Sequence, residues 1–204
     1  MYYDRFTRLL HALIAVGIVG QLAVSLVMIH PKPGRPGDAF YAVHESWGVI
    51  LLGLLVIHWI WRLIQTSPVP FKRFFPWFSL EGWRAVWADG QHHLAHIQQL
   101  RLPNETTPGA LVCAVQGLGV LVATLLGITG TIFLIYVEPN VRPAGWLHAI
   151  KELHEGLGVA MWGYLGLHAG MGILHQLAGH GSLTAMFRFW VKKSQTDSSL
   201  QHGS

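Results

Sequence analysis

Four long apolar segments dominate the chain, and polar or proline-containing stretches separate them. The segments run over Leu9–Ile29, Tyr41–Ile64, Ala110–Val137 and Trp146–Leu177. A helix needs about 20 residues to cross the hydrocarbon core of a bilayer, so each segment is long enough to span one. The pattern predicts an all-α integral membrane protein built as a four-helix bundle.

The stretches between the segments set the expected organisation. Three prolines fall within residues 31–38, a long loop covers residues 65–108, and a polar tail follows residue 190. We expect residues 1–190 to form one transmembrane domain and residues 191–204 to form a disordered tail. The first apolar run is too long for a cleavable signal peptide, so we expect the first helix to remain in the protein.

The long loop between the second and third segments is rich in aromatic residues. Trp83 and Trp87 lie four residues apart, and this spacing places them on one face of a helix. Tryptophan is enriched at the headgroup level of membranes, which favours an interfacial helix in this loop. A loop packed on the ends of the bundle would account for the same residues equally well.

Basic residues are distributed unevenly between the two sides of the predicted bundle. Ten of the 14 Lys and Arg lie near the termini and in the long loop, whereas the other side holds Lys32, Arg35, Arg142 and Lys151. Cytoplasmic loops carry an excess of Lys and Arg, so we expect a bacterial inner-membrane protein with both termini in the cytoplasm. This topology accounts for the formal net charge of +4, and we expect no nucleic acid partner.

The composition supports a membrane protein and narrows the chemistry. Charged residues make up 12% of the chain, against roughly 25% in a soluble domain. The one cysteine, Cys113, excludes a disulfide framework, a cysteine-rich zinc site, a cysteine-held iron–sulfur cluster and covalent haem attachment through C-x-x-C-H. The 13 histidines outnumber the 10 carboxylates. A metal centre would therefore rest on histidine, carboxylate or backbone ligands.

Six histidines fall inside the apolar segments. An ionisable residue in a transmembrane helix is costly, so each is a candidate for function. They lie on the first, second and fourth segments, and they are His11, His44, His58, His154, His168 and His175.

The spacing of these histidines indicates two sites. His154 and His168 are 14 residues apart, which is close to four helical turns, so they share one face and lie about 21 Å apart along the axis. His44 and His58 repeat the interval. Zinc or copper would need three or four ligands at one point. We therefore expect one site near each membrane surface rather than a single compact metal site.

Small residues follow several of these histidines by one helical turn. The second and fourth segments share the motif H-E-x-x-G, in which glycine stands where a zinc protease has its second histidine. The glycines at this spacing are Gly48, Gly158 and Gly172. A glycine there leaves room for a large flat ligand on the imidazole, and close helix packing is the alternative. His58 is followed instead by Arg62, which makes it a weaker candidate.

A planar macrocycle held between histidines of facing helices indicates haem. Neutral imidazole on both faces indicates a six-coordinate b-type electron carrier. Arg8 and Lys151 each lie three residues before a histidine, namely His11 and His154, so each could meet the haem propionates. Snorkelling of these basic side chains to lipid headgroups is the alternative.

Taken together, these motifs resemble a four-helix cytochrome b family over about residues 5–190. The family includes the prokaryotic cytochrome b561 proteins and the membrane cytochrome b subunits of hydrogenases and formate dehydrogenases. The motifs are Arg8-Leu9-Leu10-His11, His44-x-x-x-Gly48, Trp61-Arg62, Gly127-Ile128-Thr129-Gly130, His154-Glu155 and Gly166-Leu167-His168-Ala169. The resemblance implies two haem b groups, one held by His44 and His154 toward the periplasm and one held by His11 and His168 toward the cytoplasm.

The chain departs from the family pattern in two places. Members similar to free-standing cytochrome b561 often carry a histidine early in the third helix, where this chain has Cys113 and Gln116. Counted from the middle of each apolar segment, the depth of His11 is also closer to that of His175 than to that of His168.

The family precedent supplies quinone as the membrane partner. We expect Gln116 to hydrogen-bond a quinone oxygen near the cytoplasmic haem, although a bond to a neighbouring helix would also satisfy its amide. His175, His93 and His96 are candidates for handling protons near that surface, since histidine titrates close to neutral pH.

The expected function is electron transfer across the bilayer between the quinone pool and a periplasmic redox protein or dehydrogenase subunit. One alternative is a self-contained oxidoreductase resembling superoxide oxidase, in which a small substrate meets the periplasmic haem directly. Another is a haem-free metal transporter, which would need clustered ligands. The Trp-rich loop and the lack of histidine in the third segment favour the electron-transfer subunit.

Overall fold

Helices make up the regular secondary structure of the described chain, apart from one isolated bridge between Lys32 and Arg35. The computed structural model describes residues 4–65, 71–98, 108–138, 141–179 and 181–187. The helices are α1 (Arg5–Ser25), α2 (Ala39–Ile64), α3 (Leu80–Gln98), α4 (Ala110–Tyr136), α5 (Gly145–Leu177) and α6 (Ser182–Phe187), with short 3-10 helices at Phe71–Phe74 and Pro76–Phe78. The predicted tail, residues 191–204, lies outside the described residues.

Four of these helices, α1, α2, α4 and α5, are long and apolar enough to cross a membrane. The prediction of an all-α protein with four membrane-spanning helices is therefore confirmed. Many large apolar side chains point outward, including Val16, Val159 and Leu167. Soluble monomers rarely expose large apolar patches, whereas a bilayer covers such a surface.

Polar caps decide where the first two helices begin. The Asp4 carboxylate accepts a hydrogen bond from the backbone N–H of Thr7 at 2.9 Å, so α1 begins at Arg5, ahead of the apolar segment. Asp38 caps α2 in the same way, through the N–H of Tyr41 at 2.9 Å. Trp61 near the end of α2 donates to the Thr7 hydroxyl at 3.0 Å, which ties these antiparallel helices together.

The central core draws one buried side chain from each of the four long helices: Leu22, Leu55, Ala123 and Met161. Lipid tails are as apolar as these side chains, so close packing rather than burial from water stabilises the bundle. Gly17 of α1 illustrates this packing, because a Cβ there would lie 3.1 Å from the Leu51 side chain of α2.

The helix predicted in the long loop is present as α3. It packs on α4, where the Asp89 carboxylate accepts a hydrogen bond from the backbone N–H of Leu111 at 2.8 Å. Trp83 and Trp87 are 51% and 71% exposed. The helix is thus attached to the bundle while its tryptophans face outward. It combines a feature of the loop packed on the bundle with a feature of the interfacial helix.

Candidate functional site

Two pairs of histidine rings face each other in the bundle. His44 of α2 and His154 of α5 have ring centres 6.2 Å apart and ring planes inclined at 88°. His11 of α1 and His168 of α5 have ring centres 6.3 Å apart and planes inclined at 52°. The 14-residue interval on α5 separates the two pairs by about 21 Å along the axis.

The ring spacing in both pairs leaves room for one metal ion. A metal ion bound by two imidazole nitrogens lies about 2 Å from each nitrogen, which holds the ring centres about 6 Å apart. Within the described part of the chain, the buried Nδ1 atoms of His11 and His44 have no hydrogen-bond partner. Buried polar atoms are normally paired. The ring spacing fits a metal-centred group between the rings of each pair, whereas the two Nδ1 atoms show only that no described protein group holds these rings by a hydrogen bond at that nitrogen.

The three glycines expected to clear space have different surroundings. A Cβ on Gly158 would meet no atom within 4 Å, so helix packing does not require glycine there. A Cβ on Gly48 would lie 2.9 Å from the amide nitrogen of Gln21, and one on Gly172 would lie 3.4 Å from Leu183. Gly158 therefore fits the space-clearing role best, and close packing with α1 accounts for Gly48.

His154 has a hydrogen-bond partner that the sequence analysis missed. The Thr129 hydroxyl oxygen on α4 lies 2.9 Å from Nδ1 of His154. A Cβ on the neighbouring Gly130 would lie 3.0 Å from the same ring. Both residues belong to the motif Gly127-Ile128-Thr129-Gly130. Their contact with His154 depends on the position of α4 along α5, which the motif does not predict.

The pair formed by His11 and His168 borders a cavity of about 130 Å³. Tyr164 stacks on His168 with ring centres 5.3 Å apart and planes 12° apart. Phe187 of α6 lies 5.9 Å from the His11 ring, measured between ring centres. His11 therefore faces His168, although the depth count along the apolar segments placed it closer to His175.

Gln116 and His58 line the same cavity. Gln116, the residue predicted to bind quinone, therefore lies beside the pair formed by His11 and His168. The buried Nδ1 of His58 has no hydrogen-bond partner among the residues described. The guanidinium of Arg62, one turn further along α2, lies 4.2 Å from the centre of the Phe74 ring.

The two basic residues expected near propionates differ in their surroundings. Arg8 is 5% exposed and lies one turn before His11. Lys151 forms an ion pair with Glu155, and its Nζ lies 3.7 Å from the Glu152 carboxylate. These pairs are partly exposed, and such pairs contribute little to stability, so Lys151 can exchange them for another anion at small cost.

His93 and His96 lie on α3 and bond to their own helix. Nδ1 of His93 lies 2.9 Å from the backbone oxygen of Asp89 and 3.2 Å from its carboxylate. Nδ1 of His96 lies 2.9 Å from the backbone oxygen of His92. The third proton-handling candidate, His175, lies in the last turn of α5.

Comparison with known protein families identifies the family of this chain. Residues 2–189 match the family described as prokaryotic cytochrome b561. No curated protein and no solved structure matches the chain. The family match covers nearly all of the 204 residues. The chain therefore belongs to the prokaryotic cytochrome b561 family: it is a multi-pass bacterial membrane cytochrome b that binds haem b and takes part in electron transfer.

Proposed function

We propose that the chain binds two haem b groups, one between His44 and His154 and one between His11 and His168, and carries electrons across the bilayer. The observation that carries this proposal is the presence of two imidazole pairs with ring centres 6.2 and 6.3 Å apart, separated along one membrane-spanning helix. Two imidazole ligands complete the coordination of a haem iron and are typical of an electron carrier. When bound, each haem iron supplies one-electron oxidation and reduction.

The distribution of Lys and Arg supports an orientation with both termini in the cytoplasm. In this orientation, His44 and His154 lie toward the periplasm, and His11 and His168 lie toward the cytoplasm. Helix α5 contributes one histidine to each pair. A single continuous helix therefore holds the two sites at a constant separation.

Quinone is the proposed membrane partner on the cytoplasmic side. Gln116 lies beside His11 and His168 on the wall of the cavity that they border, next to apolar residues such as Phe74 and Val120, so its amide is close to the proposed haem site. Small-molecule sites commonly combine apolar walls with a few polar groups that orient the ligand. In this proposal the Gln116 amide donates a hydrogen bond to a quinone oxygen.

Counting haem in purified variants tests the ligand assignment. A pyridine haemochrome assay should give two haems b per wild-type chain and one in each of His44→Ala and His11→Ala, because each variant removes one ligand pair. The two single-haem proteins should differ in midpoint potential, since they retain different sites. A count of two in either variant would contradict the assignment of that histidine.

The quinone role is tested by Gln116→Leu, with Gln98→Leu at the exposed end of α3 as the control. Gln116→Leu should keep both haem spectra and slow the oxidation or reduction of haem by a quinone, because the cavity loses its amide. Gln98→Leu should change neither property. Unchanged quinone kinetics in Gln116→Leu would contradict the role of this residue.

Purification distinguishes an electron-transfer subunit from a self-contained oxidoreductase. A haem or iron–sulfur protein that co-purifies in fixed ratio supports a periplasmic redox partner at the end marked by His44 and His154. Turnover of a small substrate with quinone by the isolated chain would instead assign a superoxide oxidase-like activity.

A further inference from the structure

The hydroxyl of Thr129 contacts three polar atoms in the bundle interior. Its Oγ1 lies 2.7 Å from the backbone oxygen of Leu125, 3.2 Å from that of Leu126 and 2.9 Å from Nδ1 of His154. Thr129 is 4% exposed, so bulk water does not compete for these contacts. Carbonyl oxygens only accept hydrogen bonds, and a hydroxyl has a single proton. The shorter contact, to the backbone oxygen of Leu125, favours that proton on the backbone of α4, which leaves a lone pair of Oγ1 for His154.

We infer that Thr129 fixes the tautomer of His154, so that Nδ1 carries the proton and Nε2 keeps the lone pair that binds a metal. A neutral imidazole has one N–H, and the hydrogen bond made by one ring nitrogen decides which nitrogen is free as a ligand. Metal-binding histidines usually donate their other ring N–H to such a partner. The inference rests on the proposed function, in which His154 is a haem ligand.

The surroundings of the ring restrict it further. A Cβ on Gly130 would lie 3.0 Å from Cε1 of His154, so glycine at this position admits the edge of the ring beside α4. The opposite ring differs, because the buried Nδ1 of His44 has no hydrogen-bond partner in the described part of the chain. The pair formed by His44 and His154 is therefore asymmetric. Among the described residues, a side chain bonds to Nδ1 of His154 but none bonds to Nδ1 of His44.

This asymmetry has an electrochemical consequence. Donation from Nδ1 makes an imidazole a more basic ligand, and a more basic ligand favours ferric over ferrous iron. Thr129 should thus lower the midpoint potential at the site of His44 and His154. A tenfold change in the relative affinity for the two oxidation states corresponds to about 59 mV for one electron.

Potentiometric titration of the haem absorption bands in three purified holoprotein variants tests the inference. Thr129→Val removes the hydroxyl with little change in shape, and Thr129→Ser restores it. The matched control is Thr124→Val, because Thr124 on α4 also donates to the backbone of its helix, at 2.7 Å, but accepts a bond from Trp59 instead of a histidine.

Thr129→Val should raise the midpoint potential of one haem by about 59 mV, the equivalent of a tenfold affinity change, and leave the other haem unchanged. Thr129→Ser and Thr124→Val should resemble the wild type. Loss of one haem in Thr129→Val, with both retained in Thr129→Ser and Thr124→Val, would support the same role. Unchanged potentials in Thr129→Val, or an equal shift in Thr124→Val, would overturn it.

A fourth variant separates this inference from the proposed function. If His154→Ala loses one haem while Thr129→Val is unaltered, the role of Thr129 alone fails. If His154→Ala keeps both haems, the assignment of His154 as a ligand fails, and the role of Thr129 fails with it.

Discussion

Substitution of Gly158 tests whether the ligand between His44 and His154 is a planar macrocycle or a small ion. Gly158 lies one turn after His154, and a Cβ at this position would meet no protein atom within 4 Å. Replacing it with alanine should therefore leave the protein framework intact. Alanine is favoured over glycine inside a helix by about 1 kcal/mol, so the substitution should not destabilise α5.

A macrocycle bound on His154 would occupy the space that the new methyl group needs. Forcing an extra methyl group into a packed site typically costs about 1–3 kcal/mol. This cost corresponds to haem binding that is weaker by about fivefold to 150-fold. The site formed by His11 and His168 should keep its haem, because His168 lies ten residues, or nearly three helical turns, beyond Gly158 along α5.

The assay is the haem content of purified Gly158→Ala, followed by titration of haem into protein prepared without it. Gly163→Ala is the matched control, because Gly163 lies on the same helix, is exposed, and also has no atom within 4 Å of its Cβ position. Wild-type affinity at both sites of Gly158→Ala would refute the reasoning. Equal loss of haem in Gly163→Ala would show that the loss comes from replacing a glycine of α5 and not from filling the space beside His154.

Three further predictions concern a ligand choice, the core and a helix cap. His58→Ala should retain both haems, because neither ring pair includes His58; a pyridine haemochrome count of one would show that His58 is a ligand. Leu55→Ala should lower stability in SDS unfolding, followed by circular dichroism, by about 2 kcal/mol. Val56→Ala, which changes a side chain that is 48% exposed, should change stability little. Equal losses of stability in the two variants would contradict the placement of Leu55 in the central core. Asp4→Ala should destabilise α1 by about 1 kcal/mol near neutral pH, because the helix loses its cap. Burial opposes ionisation of Asp4, but hydrogen bonds from the Thr7 hydroxyl and backbone N–H outweigh this effect and hold the pKa of the carboxyl below its usual 3.8. The stabilisation is therefore present above that value and is lost as the pH falls through the lower pKa of the folded protein. Thermal unfolding of wild type and Asp4→Ala should converge in acid, and a difference that persists there would contradict the role of the cap.

The fold was largely predictable because its main determinant is local along the chain. A run of about 20 apolar residues is costly to leave in water and must satisfy its own backbone in lipid, which specifies a helix. The ends of the helices were less predictable. Helix α1 begins at Arg5 because the Asp4 side chain caps it, and it ends at Ser25 rather than at Ile29.

The candidate site was predictable only in part. Histidines on one helix have a separation and a common face that follow from helix geometry, so the two-site arrangement could be derived from His154 and His168 alone. Their partners lie on other helices, and helix tilt and offset decide which rings meet. This is why counting depth placed His11 closer to His175 than to His168, whereas packing brings its ring to that of His168.

By itself, the sequence determined four membrane-spanning helices, the residue types available as ligands and their spacing along each helix. These properties depend on the chemistry and the period of single segments. Only the tertiary structure decided which imidazoles face each other, that Tyr164 stacks on His168, and that Thr129 contacts His154. Such contacts join residues on different helices, and they depend on shifts between packed helices of a few ångströms, which the apolar pattern of a segment does not encode.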